Sequence, residues 1–517
     1  CPPALDEFDP LIPILGTSSE ARSDQLNFEM AKLAKLCSSM EDLPLALLGE
    51  IISRLTKTSD LNSLSLVSKR LYTVEAELRD SIHVGCGGVY PVKVNLASLC
   101  SQFPNLCKVE FNFSGWTPNH GMLLDNEGLR VFSSCCPLLT DLTLSFCSNI
   151  DDLGLSFLAH FKKLMSVRLK TLPAITSVGL LSVAVGCKSL SALHLICCNK
   201  VGNMDWLEYL GRIGSLEELV VKNCKRISQF DVLRLGPGWM KLHKFEFKIE
   251  GLFYSYDPCD PSYVAHNQYG YDFSCENLKD LTLARIITKH EIGLRCLLRK
   301  CKALENLCLH FVHSLHDSDM ITLANKCSNL KSISLGLKPE HCEVFRTALT
   351  DESLKALALR CSMLESFELT FFGCGTDYPE IGFTQEGLVT LIQSCPIRDL
   401  VLGGVDILDD KGMKALSRAL FLESLELTRC IFITDAGLCQ LACSPRLINL
   451  KLVVCDGITD YGVGEVVRRR KLEFLTIEQC AKVSQEAVKG AAKSVQYRDD
   501  CPSFVKWVDY CVYGNKV

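Results

Sequence analysis

Several things are scarce or missing in this 517-residue chain, and each absence closes off a class of function. A dominant charge is lacking: 55 basic against 60 acidic residues give a formal charge of −5 and an isoelectric point near 6.2. The chain as a whole therefore attracts neither nucleic acid nor an anionic membrane. No apolar run reaches the roughly 18 residues needed to span a bilayer, and the n/h/c pattern of a secretory signal is absent. A soluble, unsecreted chain, cytoplasmic and/or nuclear, is expected, with no nucleic acid and no membrane among its partners. Although the chain has 29 cysteines, no two form a C-x-x-C pair, which removes the usual zinc spacing. Nucleophile elbow, P-loop, dinucleotide fingerprint and metalloprotease helix are all missing, so the expectation is a non-catalytic chain without cofactor or metal. His310, His313 and His316 lie close in sequence but without regular ligand spacing.

What is present is a period. In Leu422-Glu423-Ser424-Leu425-Glu426-Leu427-Thr428-Arg429-Cys430, Leu425 and Leu427 alternate as in a half-buried strand and Cys430 follows at a turn. Thr434-Asp435 then supplies a helix cap ahead of Gly437-Leu438. The pattern returns at Leu450, Leu452, Cys455 and Thr459-Asp460, and again at Leu475, Ile477, Cys480 and Ser484. A fixed strand-turn-helix period marks a leucine-rich-repeat solenoid, an α/β fold with a curved parallel sheet and outer helices. Its strands are expected at Val109, Leu142, Val167, Leu193, Leu219, Phe245, Leu281, Leu307, Ile333, Phe367, Leu400, Leu425, Leu450 and Leu475, about fourteen repeats. Most cysteines recur at two places in this frame, after the strand (Cys147, Cys198, Cys224, Cys430, Cys455, Cys480) and at the helix end (Cys136, Cys187, Cys301, Cys327, Cys361, Cys395). Reduced thiols acting as small buried side chains fit that placement better than disulfides.

Residues 1–39 lack apolar periodicity over most of their length and read as a disordered or incomplete leader, residues 40–80 as a small helical domain, 81–494 as the solenoid and 495–517 as its C-terminal cap. In the helical domain, Pro44 suits a first turn and Leu47, Leu48, Ile51, Ile52 and Leu55 form an apolar stripe. Asp60 is placed to cap a second helix carrying Leu61, Leu64 and Val67 towards Leu71. So few apolar residues need a partner or the adjoining solenoid to stay folded.

These residues resemble an F-box: Leu43-Pro44, then Leu47, Ile51 and Leu55, then Asp60-Leu61 with Leu64, then Val67-Ser68-Lys69-Arg70-Leu71-Tyr72. With the cysteine-containing repeats, the chain resembles the F-box leucine-rich-repeat family. The resemblance implies a substrate receptor of an SCF-type ubiquitin ligase. It implies that Leu43, Pro44, Leu47, Ile51, Leu55, Leu61, Leu64, Val67 and Leu71 bind a Skp-family linker, and through it a cullin. It also implies that the repeats hold a target protein. The alternative for the module alone is a helical cap over the first repeat.

Two features mark where a target would sit. In an alternating strand the residues between the leucines face outward, which places Arg168, Lys170, His194, Lys222 and Lys248 with Glu246 on the concave side. They form either a site for an acidic segment or phosphate, or ordinary solvated charge. Four steps between strands are also longer than the rest, and the surplus falls between strand and helix, the edge where binding loops are expected. The longest, Gly251 to Phe273, carries Tyr254, Tyr256, Tyr263, Tyr269 and Tyr271, and a second carries Phe372 and Tyr378. Tyrosine offers contact area with a polar tip, although the rings could instead pack on neighbouring helices. A small-molecule-gated receptor similar to the plant auxin and jasmonate receptors, and a repeat scaffold or inhibitor without ligase role, are the alternative functions.

Overall fold

The computed structural model describes residues 43–55, 58–85, 96–114, 124–249, 273–288, 293–338, 347–372, 382–404, 407–469 and 472–499. Among the described residues sixteen strands form one parallel sheet in which each pairs with its neighbours in the chain, from β1 (Ser81–Gly85) to β16 (Ala492–Arg498), with β4 (Ser166–Lys170), β5 (Ala192–Ile196), β6 (Glu218–Lys222), β7 (Lys244–Lys248), β8 (Asp280–Ala284), β9 (Asn306–His310) and β11 (Ser366–Phe371) across its middle. All fourteen expected positions fall on one line across it: Val109 pairs with Leu142, Leu142 with Val167, and so on through Leu450 with Leu475. Register is fixed because a slip of one residue would carry every leucine to the open face.

Two strands lie beyond those expected. β1 lacks leucine, and of its residues Ile82 is buried in the core with Val84 packed against it. β16 carries the sheet to Arg498, past the boundary expected at residue 494. Val495 and Tyr497 pack there against the end of the core, and the Tyr497 hydroxyl donates to Val483 O at 2.9 Å. The cap residues beyond position 499 lie outside the described residues.

Most solenoid helices pack on the one before, and one apolar core runs from Ala76 to Ala491. In the most regular repeat Leu425, Leu427, Cys430, Ile433, Leu438 and Leu441 are all at most 1% exposed. Each such leucine contributes about 2 kcal/mol on burial, and no repeat can bury these side chains without its neighbours.

Backbone ladders lock the repeats at both ends of the strands. Before each strand one carbonyl takes two N–H groups from the next repeat: Glu423 O accepts from Ile448 and Asn449 at 2.9 and 3.0 Å. After the strand the chain turns through a left-handed residue, as at Thr171, Cys197, Asn223, Arg285, Phe311, Arg429 and Val454. The N–H of that residue donates to the neighbouring strand, as Arg429 N does to Val453 O at 2.9 Å. Left-handed backbone is unfavourable for side chains with a Cβ, so the turn survives because these bonds over-determine it.

The cysteines that follow close the turn. Cys455 Sγ lies 3.4 Å from Leu427 O and 3.5 Å from Val453 O, bridging two repeats with one weak donor. The second set forms a similar line, with Cys327 Sγ 3.0 Å from Cys301 O and Cys395 Sγ 3.5 Å from Cys361 O. Burial pushes four of the thiols up, to about 12 at Cys147 and Cys361 and about 11 at Cys327 and Cys395.

Ahead of the sheet stand three helices, α1 (Leu45–Ser53), α2 (Thr58–Ser65) and α3 (Lys69–Leu78). Pro44 is the N-cap residue of α1 and Ser68 caps α3, accepting from Leu71 N at 3.3 Å. Asp60 sits within the first turn of α2 rather than at its cap, where it complements the helix dipole. The module is joined to the first repeat through a buried pair: Arg79 reaches Glu75 and Asn62 and lies 5.0 Å over the Phe103 ring.

Candidate functional site

The open face of the sheet is built from every second strand residue, and the register places those residues in rows. One row runs Arg168, His194, Val220, Glu246, Thr282, Cys308, Ser334, Glu368. The row above it runs Lys170, Ile196, Lys222, Lys248, Ala284, His310. All five basic residues expected on this face are there, together with Glu246, but they do not form one positive patch.

Towards β4 the charges are neutralised locally. Arg168 lies 3.7 Å from Asp141, while His194 and Lys244 converge on Glu218 at 3.1 and 2.5 Å. The His194 contact and the Lys244 ammonium hold the Glu218 carboxyl down to about 2, and burial keeps His194 below its usual value. Lys222 is tied to Glu246 at 2.6 Å.

Towards β8 the character changes. Lys248 is only 9% exposed, and burial together with the nearby Arg285 and Lys222 pushes its ammonium down to about 8. The Arg285 guanidinium stands 5.7 Å over the ring of Phe311, which lies 4.7 Å from that of Phe372. Below them a polar relay crosses three strands: His310 Nε2 is 2.6 Å from Ser334 Oγ, which donates to Glu368 at 2.7 Å. Because that hydroxyl proton is committed to Glu368, His310 donates its own Nε2–H. Burial lowers the imidazole's affinity for a second proton.

Arg285 and Phe311 were not anticipated from alternation, since both follow their strands. They are the left-handed turn residues themselves, the position that Arg429 and Val454 hold before Cys430 and Cys455. The three histidines do not converge. His310 is on the open face, His313 is 2% exposed in the core, and the backbone of His316 donates to Asp319. Among the described residues no group of three His, Cys, Asp or Glu side chains is placed to hold a metal. Tyr254, Tyr256, Tyr263, Tyr269, Tyr271 and Tyr378 lie outside the described residues, whereas Phe372 is half-buried beside Phe311.

In the three-helix module Leu48, Ile52, Leu71 and Val74 form the core, with Leu43, Leu61 and Leu64 packed against it. Leu71 is 1% exposed, so it holds the helices together from within. Leu47, Ile51 and Leu55 are half-buried and Pro44 is exposed. Val67 is 69% exposed, and Leu66 and Leu45, which helical periodicity does not single out, are 89% and 60% exposed.

No family model matches the sequence. Among solved structures, the chain is similar at 15% identity to one described as a complex of Rad7 and Elc1 in yeast, covering 91% of this chain and 96% of that one with a TM-score of 0.45. It is similar at 15% identity to an internalin, inlF, of Listeria monocytogenes, over 79% of this chain and 91% of that one with a TM-score of 0.37. A third similar structure, TLR13 in complex with ssRNA13, has 14% identity over 83% of this chain and 59% of that one, with a TM-score of 0.40.

Proposed function

We propose that this chain is a non-catalytic adaptor of an SCF-type ubiquitin ligase, working in the cytoplasm or nucleus. Its three-helix module docks on a Skp-family linker, and so on a cullin, while the repeats hold a target protein for ubiquitination. The observation that carries this reading is the exposed apolar surface of Leu45, Leu66 and Val67 on a module otherwise organised around Leu48, Ile52 and Leu71. The F-box-like residues from Leu43 to Tyr72 support it, as does the buried Glu75–Arg79 pair that ties the module to the first repeat. In such an arrangement the adaptor breaks no bond. It raises the effective concentration of target lysines near a charged conjugating enzyme.

The test is co-purification from cells. The linker and cullin are expected with wild type and should be lost when Val67 and Leu66 are each replaced by Glu. Recovery of a binding protein without linker or cullin by wild type would favour the scaffold reading.

A further inference from the structure

One repeat breaks the frame between helix and strand. Elsewhere this connection reads Cys-x-x-Leu, as in Cys327-Ser328-Asn329-Leu330 and Cys361-Ser362-Met363-Leu364, and the Leu N–H donates to the Cys carbonyl. After the helix Gln385–Ser394 it reads Cys395-Pro396-Ile397, one residue short, and Ile397 N donates to Cys395 O at 2.8 Å across a tighter turn. In the next repeat the pair ahead of the conserved frame position Leu422 is Leu420-Phe421, 67% and 40% exposed, where the repeats of Cys301 and Cys327 place Lys302-Ala303 and Ser328-Asn329. Between the shortened turn and this pair lies an open cleft of about 230 Å³, floored by the buried Ile392, Cys395, Ile397 and Ala419. Small-molecule pockets begin at roughly 300 Å³, so the cleft suits a single bulky side chain better than a whole ligand. Arg418 is exposed on its rim, and Arg446 of the following repeat stands 5.9 Å over the Phe421 ring. Among the described residues neither guanidinium has a carboxylate partner, and Glu423, the nearest acid in the sequence, is held by Arg398 at 2.7 Å.

We propose that this cleft docks an acidic segment of a protein partner, a segment that carries one bulky apolar side chain. The apolar side chain fills the cleft beside Leu420 and Phe421, and the flanking carboxylates pair with Arg418 and Arg446. Charge complementarity selects this occupant, since two unneutralised guanidiniums at the rim attract an acidic segment and repel a basic one. Each guanidinium can hold a carboxylate through two parallel hydrogen bonds, which fixes the position of the segment as well as its charge. The apolar floor supplies the anchor that such a contact needs at its centre. None of the cleft residues belongs to the open-face rows of the sheet, so this site is separate from that face. It stands whether or not the chain is an adaptor.

The experiment is selection of a phage-displayed random dodecapeptide library on the immobilised full chain, with an Arg418→Glu/Leu420→Asp variant selected in parallel. Both positions are exposed, so the variant is expected to melt as wild type does. Peptides enriched on wild type should carry an excess of Asp and Glu around one Trp, Phe or Leu, and should be missing from the variant selection. Fluorescence anisotropy with one such labelled peptide should show affinity falling about tenfold with Leu420→Asp and about tenfold with Arg418→Glu. Arg418→Gln, which only removes a charge, should also weaken binding and keeps the comparison if the double variant is poorly folded. No enrichment, enrichment of neutral or basic peptides, or equal binding by wild type and the variants overturns the proposal. Light scattering that shows a wild-type dimer broken by Leu420→Asp gives the cleft to a second copy and overturns it too. Linker recovery separates this idea from the adaptor reading. Peptide binding lost with linker retained is the result expected of the variants, whereas wild type that binds peptide without linker removes the adaptor reading alone.

Discussion

Asp410, the first residue of one helix, accepts both the backbone N–H and the hydroxyl of Thr434, the cap of the next, at 2.8 and 2.7 Å. The same exchange joins Asp435 to Thr459 and Asp460 to Ser484, and further back Asp351 to Thr384, Asp317 to Thr350 and Asp152 to Thr176. The Thr-Asp pairs in the sequence therefore do two jobs. Each Thr caps its own helix and each Asp holds the following repeat. Replacing Asp410 by Ala should destabilise the solenoid by about 1 kcal/mol, since three bonds to one carboxylate are lost. A double-mutant cycle with Thr434→Ala in urea denaturation should show a coupling of about 1 kcal/mol.

Gly437 is a second consequence of that exchange. A Cβ there would stand 2.3 Å from Asp410 Oδ1, the same oxygen that accepts from Gly437 N at 3.0 Å. Gly437→Ala should cost about 2 kcal/mol in the wild-type background. In an Asp410→Ala background it should cost much less, because the obstructing carboxylate is gone. Equal losses in both backgrounds, again by urea denaturation, would contradict the steric explanation.

The fold was legible in the sequence to the level of strand register, because leucines alternating at a fixed period leave only one way to face a common core. The ends were harder. β1 and β16 each offer two apolar residues to the core, Ile82 with Val84 in one case and Val495 with Tyr497 in the other, and neither strand contains a leucine. The open face was legible residue by residue, from Arg168 to Lys248. Its electrostatics were not, since cancellation depends on which carboxylate the register sets beside each cation. Arg285 escaped notice because a left-handed turn without glycine carries no local signal.

Four of the buried cysteines should be chemically silent. Thiols pushed up to about 11 or 12 at Cys147, Cys327, Cys361 and Cys395 hold little thiolate near neutrality. Iodoacetamide at about pH 8, read by mass spectrometry, should label the exposed Cys135 and Cys443 in the native chain and reach these four only after denaturation. Rapid native labelling of Cys361 would overturn that expectation.

Lys248 makes stability depend on pH with a defined sign. Its ammonium lies at about 8 in the fold against 10.5 for an ordinary lysine. Between roughly pH 8 and pH 10 the unfolded chain then holds more protons than the folded one, and this site's contribution to stability rises with pH. Lys248→Met is predicted to be more stable than wild type by about 1 kcal/mol near pH 7, after allowance for solvent screening. The difference should shrink towards pH 10, roughly the ordinary lysine value. Parallel urea titrations at several pH values measure it, and a difference that grows with pH would contradict the assignment.

The adaptor account is tested most directly at the exposed face of the three-helix module. Leu43 is a poor choice for mutation, because it packs against the small core and its carbonyl accepts from Arg70 at 2.6 Å. Val67, at 69% exposed, is a better one. The decisive measurement is recovery of the Skp-family linker and cullin with tagged wild type and with a Leu66→Glu/Val67→Glu variant whose melting curve is unchanged. The account predicts both partners with wild type and neither with the variant. Absence of the linker from the wild-type preparation, or its equal recovery with the variant, would contradict it.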